Sequence, residues 1–266
     1  DEFCYTYIQN TFTDIDAYFK QKPLPQIQLA FVKKLEHYEQ LFTNAKNEKA
    51  IGEFSTSYLF STKAAQNIYN YNPKAKIVVV LRNPISRIFS HYLMAFRDSF
   101  TTKNFLDAIQ DDMKLKKKGW GISELFIELG MYASQIKAYQ DVFPENQIKI
   151  LLHDDLKNNP ENLLKDFCLF LEIDSHKFIF EEKYNVAAMP KYKKFMGMIT
   201  DIGVKKQLSK LMPVSLKKHA KKILFTTNNL PKITTEEKLF LIDIYKEDIQ
   251  LTSKLINRDL TDWLKI

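Results

Sequence analysis

One segment constrains the fold of this chain more than any other. The aliphatic run Ile77–Leu81 is followed at once by Arg82, Asn83 and Pro84. An apolar, β-branched run without polar interruption is typical of a strand buried on both faces of a parallel sheet. Asn83 and Pro84 predict the N-cap and first residue of a helix, because the N–H that proline lacks would be unpaired there anyway. The segment therefore predicts a strand–turn–helix unit with an arginine at its turn.

The helix predicted after this turn separates polar from apolar side chains. Ser86 and Ser90 fall on a different face from the apolar residues, which are Ile85, Ile88, Phe89, Tyr92 and Phe96. Ligands of open α/β sheets bind at the carboxyl ends of the strands. The guanidinium of Arg82, the hydroxyl of Ser90 and free N–H groups at the helix start would together suit a phosphate monoester. The alternative is an ordinary βα unit in which Arg82 lines the sheet edge and Ser90 is solvated.

This arrangement of Arg82, Asn83, Pro84 and Ser90 resembles the 3′-phosphate-binding segment of sulfotransferases that use 3′-phosphoadenosine 5′-phosphosulfate (PAPS). The resemblance implies that Arg82 and Ser90 hold the 3′-phosphate of the nucleotide. It also implies an enzyme that uses PAPS as its sulfuryl donor and needs no metal ion.

Further segments match the same family in its own order along the chain. Each is weak alone, but together they span nearly all of the chain, and they look most like the heparan-sulfate and bacterial branches. These segments are IGEFSTSYL (51–59), LGMY (129–132), Phe143-Pro144, IKILLHDDL (148–156), FLEID (170–174), Met189-Pro190-Lys191 and the terminal L-x-x-W pattern around Trp263.

The resemblance assigns roles to residues outside the turn. The glutamate of a K-E-P-x-F-F segment is the general base in the heparan-sulfate branch, and Glu2 occupies that position here. Lys191 belongs to a predicted loop, residues 184–194, that covers the nucleotide and brings a lysine near a phosphate. Phe54 stands where heparan-sulfate enzymes carry a lysine, which weighs against glycosaminoglycan acceptors. The acceptor expected is a hydroxyl or amine of a glycan, lipid or small metabolite.

One family feature has no counterpart in the sequence. The K-x-G-T loop that holds the 5′-phosphosulfate is absent, the first glycine is Gly52, and no G-x-x-x-x-G-K stretch occurs. We expect a strand, a lysine-containing phosphate loop and a helix to precede Asp1 in the native protein. A degenerate protein that cannot grip the phosphosulfate is the alternative.

The sequence predicts an α/β fold: a P-loop-type parallel β-sheet flanked by helices, with additional C-terminal helices. We expect a single domain over residues 1–266, because no glycine- or serine-rich linker and no internal repeat interrupts it. The predicted elements are strands at Ala50–Phe54, Ile77–Leu81 and Ile148–Leu152, helices along 31–42, 64–71, 129–142 and 160–171, and a capping box at Thr234 that opens a long last helix. Cys168 is expected in the core.

Charge and histidine content narrow the alternatives. The formal net charge is +7, and no acidic residue occurs between Asp201 and Glu236, where lysines recur from Lys205 to Lys222. This stretch is either a solvated face or a contact for an anionic polymer or membrane surface. We expect no nucleic-acid partner, because no recognition motif accompanies the lysines. His91, directly after Ser90, is expected to be a packed structural histidine and is the second candidate for the base.

Two other function classes stay open. A P-loop kinase shares the α/β architecture but needs a Walker loop and a magnesium-binding carboxylate. A non-catalytic basic module would keep the fold without turnover. The lysine-, asparagine- and isoleucine-rich composition is compatible with a bacterial cytoplasmic protein, and a Golgi-lumenal location is the alternative.

Overall fold

The computed structural model of the chain describes residues 15–24, 32, 34–98, 100–120, 122–175, 178–179, 189–190, 225–226 and 230–266. Its helices are α1 (Ile15–Phe19), α2 (Leu35–Gln40), α3 (Ala64–Tyr71), α4 (Pro84–Asp98), α5 (Phe105–Lys114), α6 (Tyr132–Gln140), α7 (His153–Asn158), α8 (Pro160–Leu171) and α9 (Thr235–Leu255). Short 3₁₀ turns cover Glu128–Gly130, Glu145–Gln147 and Thr261–Leu264. The strands are β1 (Ile77–Leu81), β2 (Ile148–Leu152), β3 (Met189–Pro190) and β4 (Phe225–Thr226).

The two longer strands form a parallel pair. β1 and β2 run in register from Ile77 opposite Ile148 to Leu81 opposite Leu152. Their carboxyl ends therefore meet at one edge, and that edge is where ligands of α/β folds bind. β3 and β4 pair antiparallel. Parallel strands flanked by helices, with the long α9 near the C-terminus, confirm the predicted fold class.

The strand predicted at Ala50–Phe54 is wrong. Residues 50–55 form neither strand nor helix, and the apolar side chains of Ile51 and Phe54 are 57% and 81% exposed. The stretch has only these two large apolar residues, and Gly52 between them weakens a strand. Without a buried face, the backbone gains nothing from joining the sheet.

The core gathers around β1 and α4. The predicted apolar face of α4 is confirmed: Ile85, Ile88, Tyr92 and Phe96 are buried and Phe89 is partly buried. Helix α9 packs against α6 and α4. Side chains from five elements complete this cluster: Leu81, Ile109, Ile136, Leu241, Tyr245, Ile249 and Trp263. The strand–turn–helix unit is thus embedded in the main core of the protein.

Several helix boundaries follow the sequence signals. Helices α3 and α8 match their predicted ranges, and Cys168 is buried on α8. The capping box is confirmed, with Glu237 N–H donating to Thr234 Oγ1 and Thr234 N–H donating to the Glu237 carboxylate. The helix expected from residue 31 begins only at Leu35.

The helix predicted over 129–142 is broken at Met131. A 3₁₀ turn ends at Gly130 and α6 begins at Tyr132. The break has a physical cause on another element, because the Asp248 carboxylate of α9 accepts the N–H groups of Tyr132 and Ala133 and starts α6 there. Among the described helices, none combines the length and apolar character that crossing a bilayer requires.

Candidate functional site

The candidate site lies at the turn between β1 and α4, residues 81–90, called the phosphate turn below. Leu81 ends the strand fully buried, and Pro84 begins the helix. Asn83 is the predicted N-cap: its Oδ1 accepts the N–H of Ile85 at 2.9 Å and the N–H of Ser86 at 3.2 Å. The turn is therefore a regular capped helix start. The strand before it buries Val79 and Leu81 but leaves Val80 49% exposed, so the prediction of a strand buried on both faces is wrong.

The cap changes one expectation about the helix start. The sequence predicts free N–H groups at the helix start that could bind a phosphate, but the N–H groups of Ile85 and Ser86 are already bonded to Asn83. Because a backbone N–H bonded to a cap has no strong bond left to give, the expectation of free N–H groups is wrong for these two residues. Anion binding at this turn depends on side chains and on the helix dipole.

Arg82 and Ser90 are both partly exposed. Neither side chain makes a hydrogen bond or ion pair with another residue that the structure describes. Ser90 lies seven residues after Asn83, which is about two helical turns, so it shares a helix face with the turn. Helical side chains also lean toward the helix N-terminus. The guanidinium and the hydroxyl are therefore free of other bonds within the described residues, and their predicted roles toward a phosphate stay predictions.

Two aromatic residues from distant parts of the chain hold the turn. The Tyr132 hydroxyl donates to the Arg82 carbonyl at 2.8 Å. The Asn83 amide donates to the Trp263 carbonyl at 3.4 Å, and the Trp263 indole N–H donates to Asp154 Oδ2 at 2.9 Å. These contacts fix the backbone on either side of the peptide that follows Arg82.

The start of α6 is itself tightly built. Asp248 Oδ2 accepts the Tyr132 N–H at 2.7 Å, and Oδ1 accepts the Ala133 N–H at 3.1 Å. Gly130 is required by close approach, since a Cβ there would lie 2.8 Å from the Tyr245 hydroxyl. That hydroxyl donates to the carbonyl of Ile127 at 3.1 Å. The pattern Gly130-x-Tyr132 is therefore explained by packing against α9.

A polar cluster holds the segment 124–128 against α4. Arg87 donates from Nη2 to the Phe126 carbonyl, and His91 Nε2 lies 3.5 Å from Glu124 Oε2. The His91 ring also packs on the Phe126 ring, with centroids 4.9 Å apart. His91 Nδ1 is buried without a partner among the described residues. This geometry supports the structural reading of His91.

The remaining residues predicted from the sequence are a candidate base, a lysine and a lysine-rich stretch. Glu2, Lys191 and the stretch from Lys205 to Lys222 lie outside the described residues, so their roles stay predictions. The backbone of β3, directly before Lys191, lies against α4.

The segment 50–60 is the one in which the family resemblance predicts contacts with the acceptor. Glu53 accepts hydrogen bonds from the hydroxyls of Tyr58 at 2.8 Å and Tyr38 at 3.1 Å. Burial, together with the charge of Glu53, raises the pKa of Tyr38 to about 12. Phe54, where a lysine was the family expectation, projects into solvent. Glu53 bonds this segment to two tyrosines, while the side chains of Ile51 and Phe54 stay exposed.

Across residues 15–24, 34–98, 100–120, 122–175 and 230–266, no three histidine, cysteine, aspartate or glutamate side chains gather as metal ligands would.

Three residues whose side chains hold this region together were not identified from the sequence: Tyr132, Asp248 and Arg87. Tyr132 was visible only as part of a family pattern. Asp248 and Arg87 gave no signal in the sequence, because each bonds to distant backbone groups. Asp248 bonds to the N–H of Ala133, 115 residues away, and Arg87 bonds to the carbonyl of Phe126, 39 residues away.

Comparison with known proteins points to one family. The sulfotransferase domain family matches residues 8–226 of this chain. Among curated proteins, the bifunctional heparan sulfate N-deacetylase/N-sulfotransferase 1 of Xenopus laevis is 26% identical over 267 residues, covering 96% of this chain and 27% of the relative. The human N-deacetylase/N-sulfotransferase 3 is 24% identical and covers 80% of this chain and 23% of the relative. The chain thus spans about a quarter of the length of these relatives.

A solved structure shares the fold. The crystal structure of a sulfotransferase from Alicyclobacillus acidocaldarius aligns with a TM-score of 0.65 at 22% identity, covering 99% of this chain and 95% of the other.

Proposed function

Since the chain belongs to the sulfotransferase domain family, we propose that it transfers a sulfuryl group from PAPS to a hydroxyl or amine of a glycan, lipid or small metabolite. One observation carries the proposal. A guanidinium and a hydroxyl, those of Arg82 and Ser90, lie around the turn between a parallel strand and a capped helix, and neither group makes a hydrogen bond or ion pair with the described residues. This is the chemistry that a 3′-phosphate requires.

Sulfuryl transfer requires in-line positioning, a general base and cations. The attacking atom of the acceptor forms a bond to sulfur while the bond from sulfur to the 5′-phosphate oxygen breaks, and in-line positioning favours both events. A base removes the proton of the acceptor group. Cations stabilise the departing 3′,5′-bisphosphate. Arg82 would anchor the bisphosphate through a bidentate contact with its 3′-phosphate, and Ser90 would add a single hydrogen bond.

Glu2 is the proposed general base. In a competent enzyme, Glu2→Gln should lower turnover about 100-fold or more, while the affinity for the nucleotide changes little, because the amide cannot accept the proton. Steady-state kinetics together with nucleotide titration measure the two effects separately. Turnover equal to that of the wild type would move the role to another residue.

Lys191 is proposed to contact a phosphate of the nucleotide. The support is the position of β3, whose backbone directly precedes Lys191 and lies against the helix that carries Ser90. A covering segment of this kind excludes water from the reaction. Hydrogen exchange across 184–194 should slow on addition of the bisphosphate, and protection confined to residues 82–90 would contradict this role.

The acceptor is proposed only by chemical class. The two relatives are named as heparan sulfate N-sulfotransferases, and an amine acceptor is part of the proposal for that reason. The exposed Phe54, in place of a lysine, offers no cation to an anionic sugar. We therefore favour acceptors other than sulfated or uronic-acid polymers.

Calorimetric titration with 3′-phosphoadenosine 5′-phosphate, AMP and ATP tests the proposal. We expect the bisphosphate to bind more tightly than AMP, and sulfuryl transfer from PAPS to be detected with a suitable acceptor. Equal affinity for bisphosphate and AMP would refute the 3′-phosphate site. A clear preference for ATP would favour a kinase, and bisphosphate binding without any turnover of PAPS would favour a non-catalytic module.

A further inference from the structure

We propose that Tyr132 is a positioning residue for the nucleotide: its hydroxyl holds the backbone of Arg82 so that the guanidinium is pre-oriented toward a 3′-phosphate. The inference rests on the proposed function and extends it to a residue that would not touch the ligand. It concerns how the site keeps its shape before binding.

The hydrogen bond acts on the residue whose side chain matters most. The Tyr132 hydroxyl donates to the Arg82 carbonyl at 2.8 Å. Rotation of the peptide after Arg82 would break this bond, and it would also disturb Asn83, whose side chain caps α4 and contacts the Trp263 carbonyl. Because a side chain leaves the backbone at Cα, a fixed peptide on one side restricts the direction of the guanidinium. Pre-orientation of this kind lowers the cost of ordering a long side chain on binding.

Tyr132 is in turn held by the core. Its side chain is buried, its N–H donates to Asp248 Oδ2 at 2.7 Å, and its ring packs edge-on against Trp263 with centroids 6.3 Å apart. Asp248 belongs to α9, which packs against both α6 and α4. The hydroxyl is thus a rigid donor, supported from the C-terminal helix across to the phosphate turn.

The hydroxyl remains a donor at every pH at which the protein would be assayed. Burial raises the pKa of Tyr132 to about 12, although the charges of Arg87 and Arg82 and the bond to the Arg82 carbonyl oppose the rise. The proton is therefore present near neutral pH, and the bond does not depend on ionisation.

A second tyrosine on the same helix provides a matched control. The Tyr139 hydroxyl donates to the Tyr58 carbonyl at 2.9 Å, and its ring is as buried as that of Tyr132. Removing either hydroxyl deletes one buried hydrogen bond to a backbone carbonyl and should cost a similar amount of stability. Only the bond of Tyr132 reaches Arg82, so the two roles, structural and positioning, can be separated.

The test compares two ligands in three proteins. The wild type, Tyr132→Phe and Tyr139→Phe are titrated with 3′-phosphoadenosine 5′-phosphate and with AMP, and the unfolding midpoint of each protein is measured. We expect Tyr132→Phe to lower the affinity for the bisphosphate about fivefold and to leave the affinity for AMP unchanged. Tyr139→Phe should change neither affinity. The ratio of the two affinities is a readout that a loss of stability alone does not move.

Two results would overturn the inference. One is a ratio of bisphosphate to AMP affinity that is unchanged in Tyr132→Phe. The other is a loss of bisphosphate affinity in Tyr139→Phe that equals the loss in Tyr132→Phe. As a second variant, Tyr132→Phe combined with Arg82→Ala should bind the bisphosphate no more weakly than Arg82→Ala alone, because the hydroxyl acts through that guanidinium; additive losses would count against positioning. A wild type without preference for the bisphosphate would instead refute the proposed function itself.

Discussion

The phosphate turn (81–90) and the segment 50–60 are the two parts of the family pattern that the structure describes best, and they are built in opposite ways. The turn lies in the main core, with Leu81 and Ile88 fully buried, and its backbone is held by Asn83 and Tyr132. The segment 50–60 has no regular structure over its first residues and exposes both Ile51 and Phe54.

The difference corresponds to what each region is proposed to bind. The nucleotide is a fixed ligand, so a rigid turn that orders Arg82 in advance favours its binding. The acceptor varies among sulfotransferases, and an exposed segment anchored mainly by Glu53 and Tyr58 can change its side chains at little cost in stability. We infer that the turn proposed to bind the sulfuryl donor is constrained by the core, whereas residues 50–55 of the segment proposed to face the acceptor are not.

The largest expected contrast is in stability. Ile88→Ala should lower the free energy of unfolding by about 2–5 kcal/mol, because it removes a fully buried side chain and leaves a cavity. Phe54→Ala should change it by no more than about 0.5 kcal/mol, since the ring is 81% exposed. Urea unfolding of both variants measures the two effects. Similar losses would mean that the segment 50–60 is packed in a way that its exposure does not reveal.

Two glycines sharpen the same contrast. Gly130→Ala should destabilise the protein by about 1–3 kcal/mol, because the new methyl group would overlap the buried Tyr245 hydroxyl at 2.8 Å. Gly52→Ala should be within about 0.5 kcal/mol of the wild type, since nothing lies within 4 Å of its added Cβ. Thermal unfolding compares them directly. A tolerated Gly130→Ala would show that α6 can move away from α9.

A smaller effect should appear as a pH dependence. Burial raises the pKa of the Asp248 carboxyl above its ordinary value of 3.8, although the N–H groups of Ala133 and Tyr132 oppose the rise. The folded protein therefore binds this proton more tightly than the unfolded chain. The contribution of Asp248 to the free energy of unfolding consequently falls as the pH rises from 3.8 through the raised pKa, and it is level above that point.

Asp248→Asn removes this titration. The unfolding free energy of the wild type minus that of the variant should decrease as the pH rises across the acidic range and then become constant. Urea unfolding at several pH values from about 4 to 7 measures the difference. A difference that grows with pH would mean that the N–H bonds outweigh burial and that the carboxyl pKa is lowered instead.

Local sequence signals predicted the parts of the fold that local chemistry controls. The aliphatic run Ile77–Leu81, the Asn83-Pro84 helix start and the Thr234 capping box all appear where their residues indicated. Each depends on groups within a few positions in the chain, so one sequence is enough to recognise it.

Features that depend on distant partners could not be predicted. The helix break at Met131 is caused by Asp248, more than a hundred residues later in the chain. No residue near Met131 indicates the break. The strand expected at Ala50–Phe54 failed because hydrophobic residues alone do not supply a neighbouring strand. The Arg82 and Ser90 pair was found through a family resemblance, but its support by Tyr132 required the structure. The upstream strand and phosphate loop stay a prediction.

The central claim is that Arg82 binds a 3′-phosphate. The most direct measurement removes first the guanidinium, by mutation, and then the 3′-phosphate, by a change of ligand. The wild type, Arg82→Ala and a control, Arg97→Ala, are titrated with 3′-phosphoadenosine 5′-phosphate and with AMP. Arg97 lies on α4, the helix that follows Arg82, and its guanidinium is already paired with Asp98 at 2.8 Å.

We expect Arg82→Ala to weaken bisphosphate binding by about 2–3 kcal/mol and AMP binding hardly at all, because the lost contact is charge-assisted and involves only the 3′-phosphate. Ser90→Ala should show the same selectivity at about 1 kcal/mol, and Arg97→Ala should bind both ligands as the wild type does. If Arg82→Ala loses the same affinity for both ligands, or loses none for the bisphosphate, the assignment of the phosphate turn is wrong.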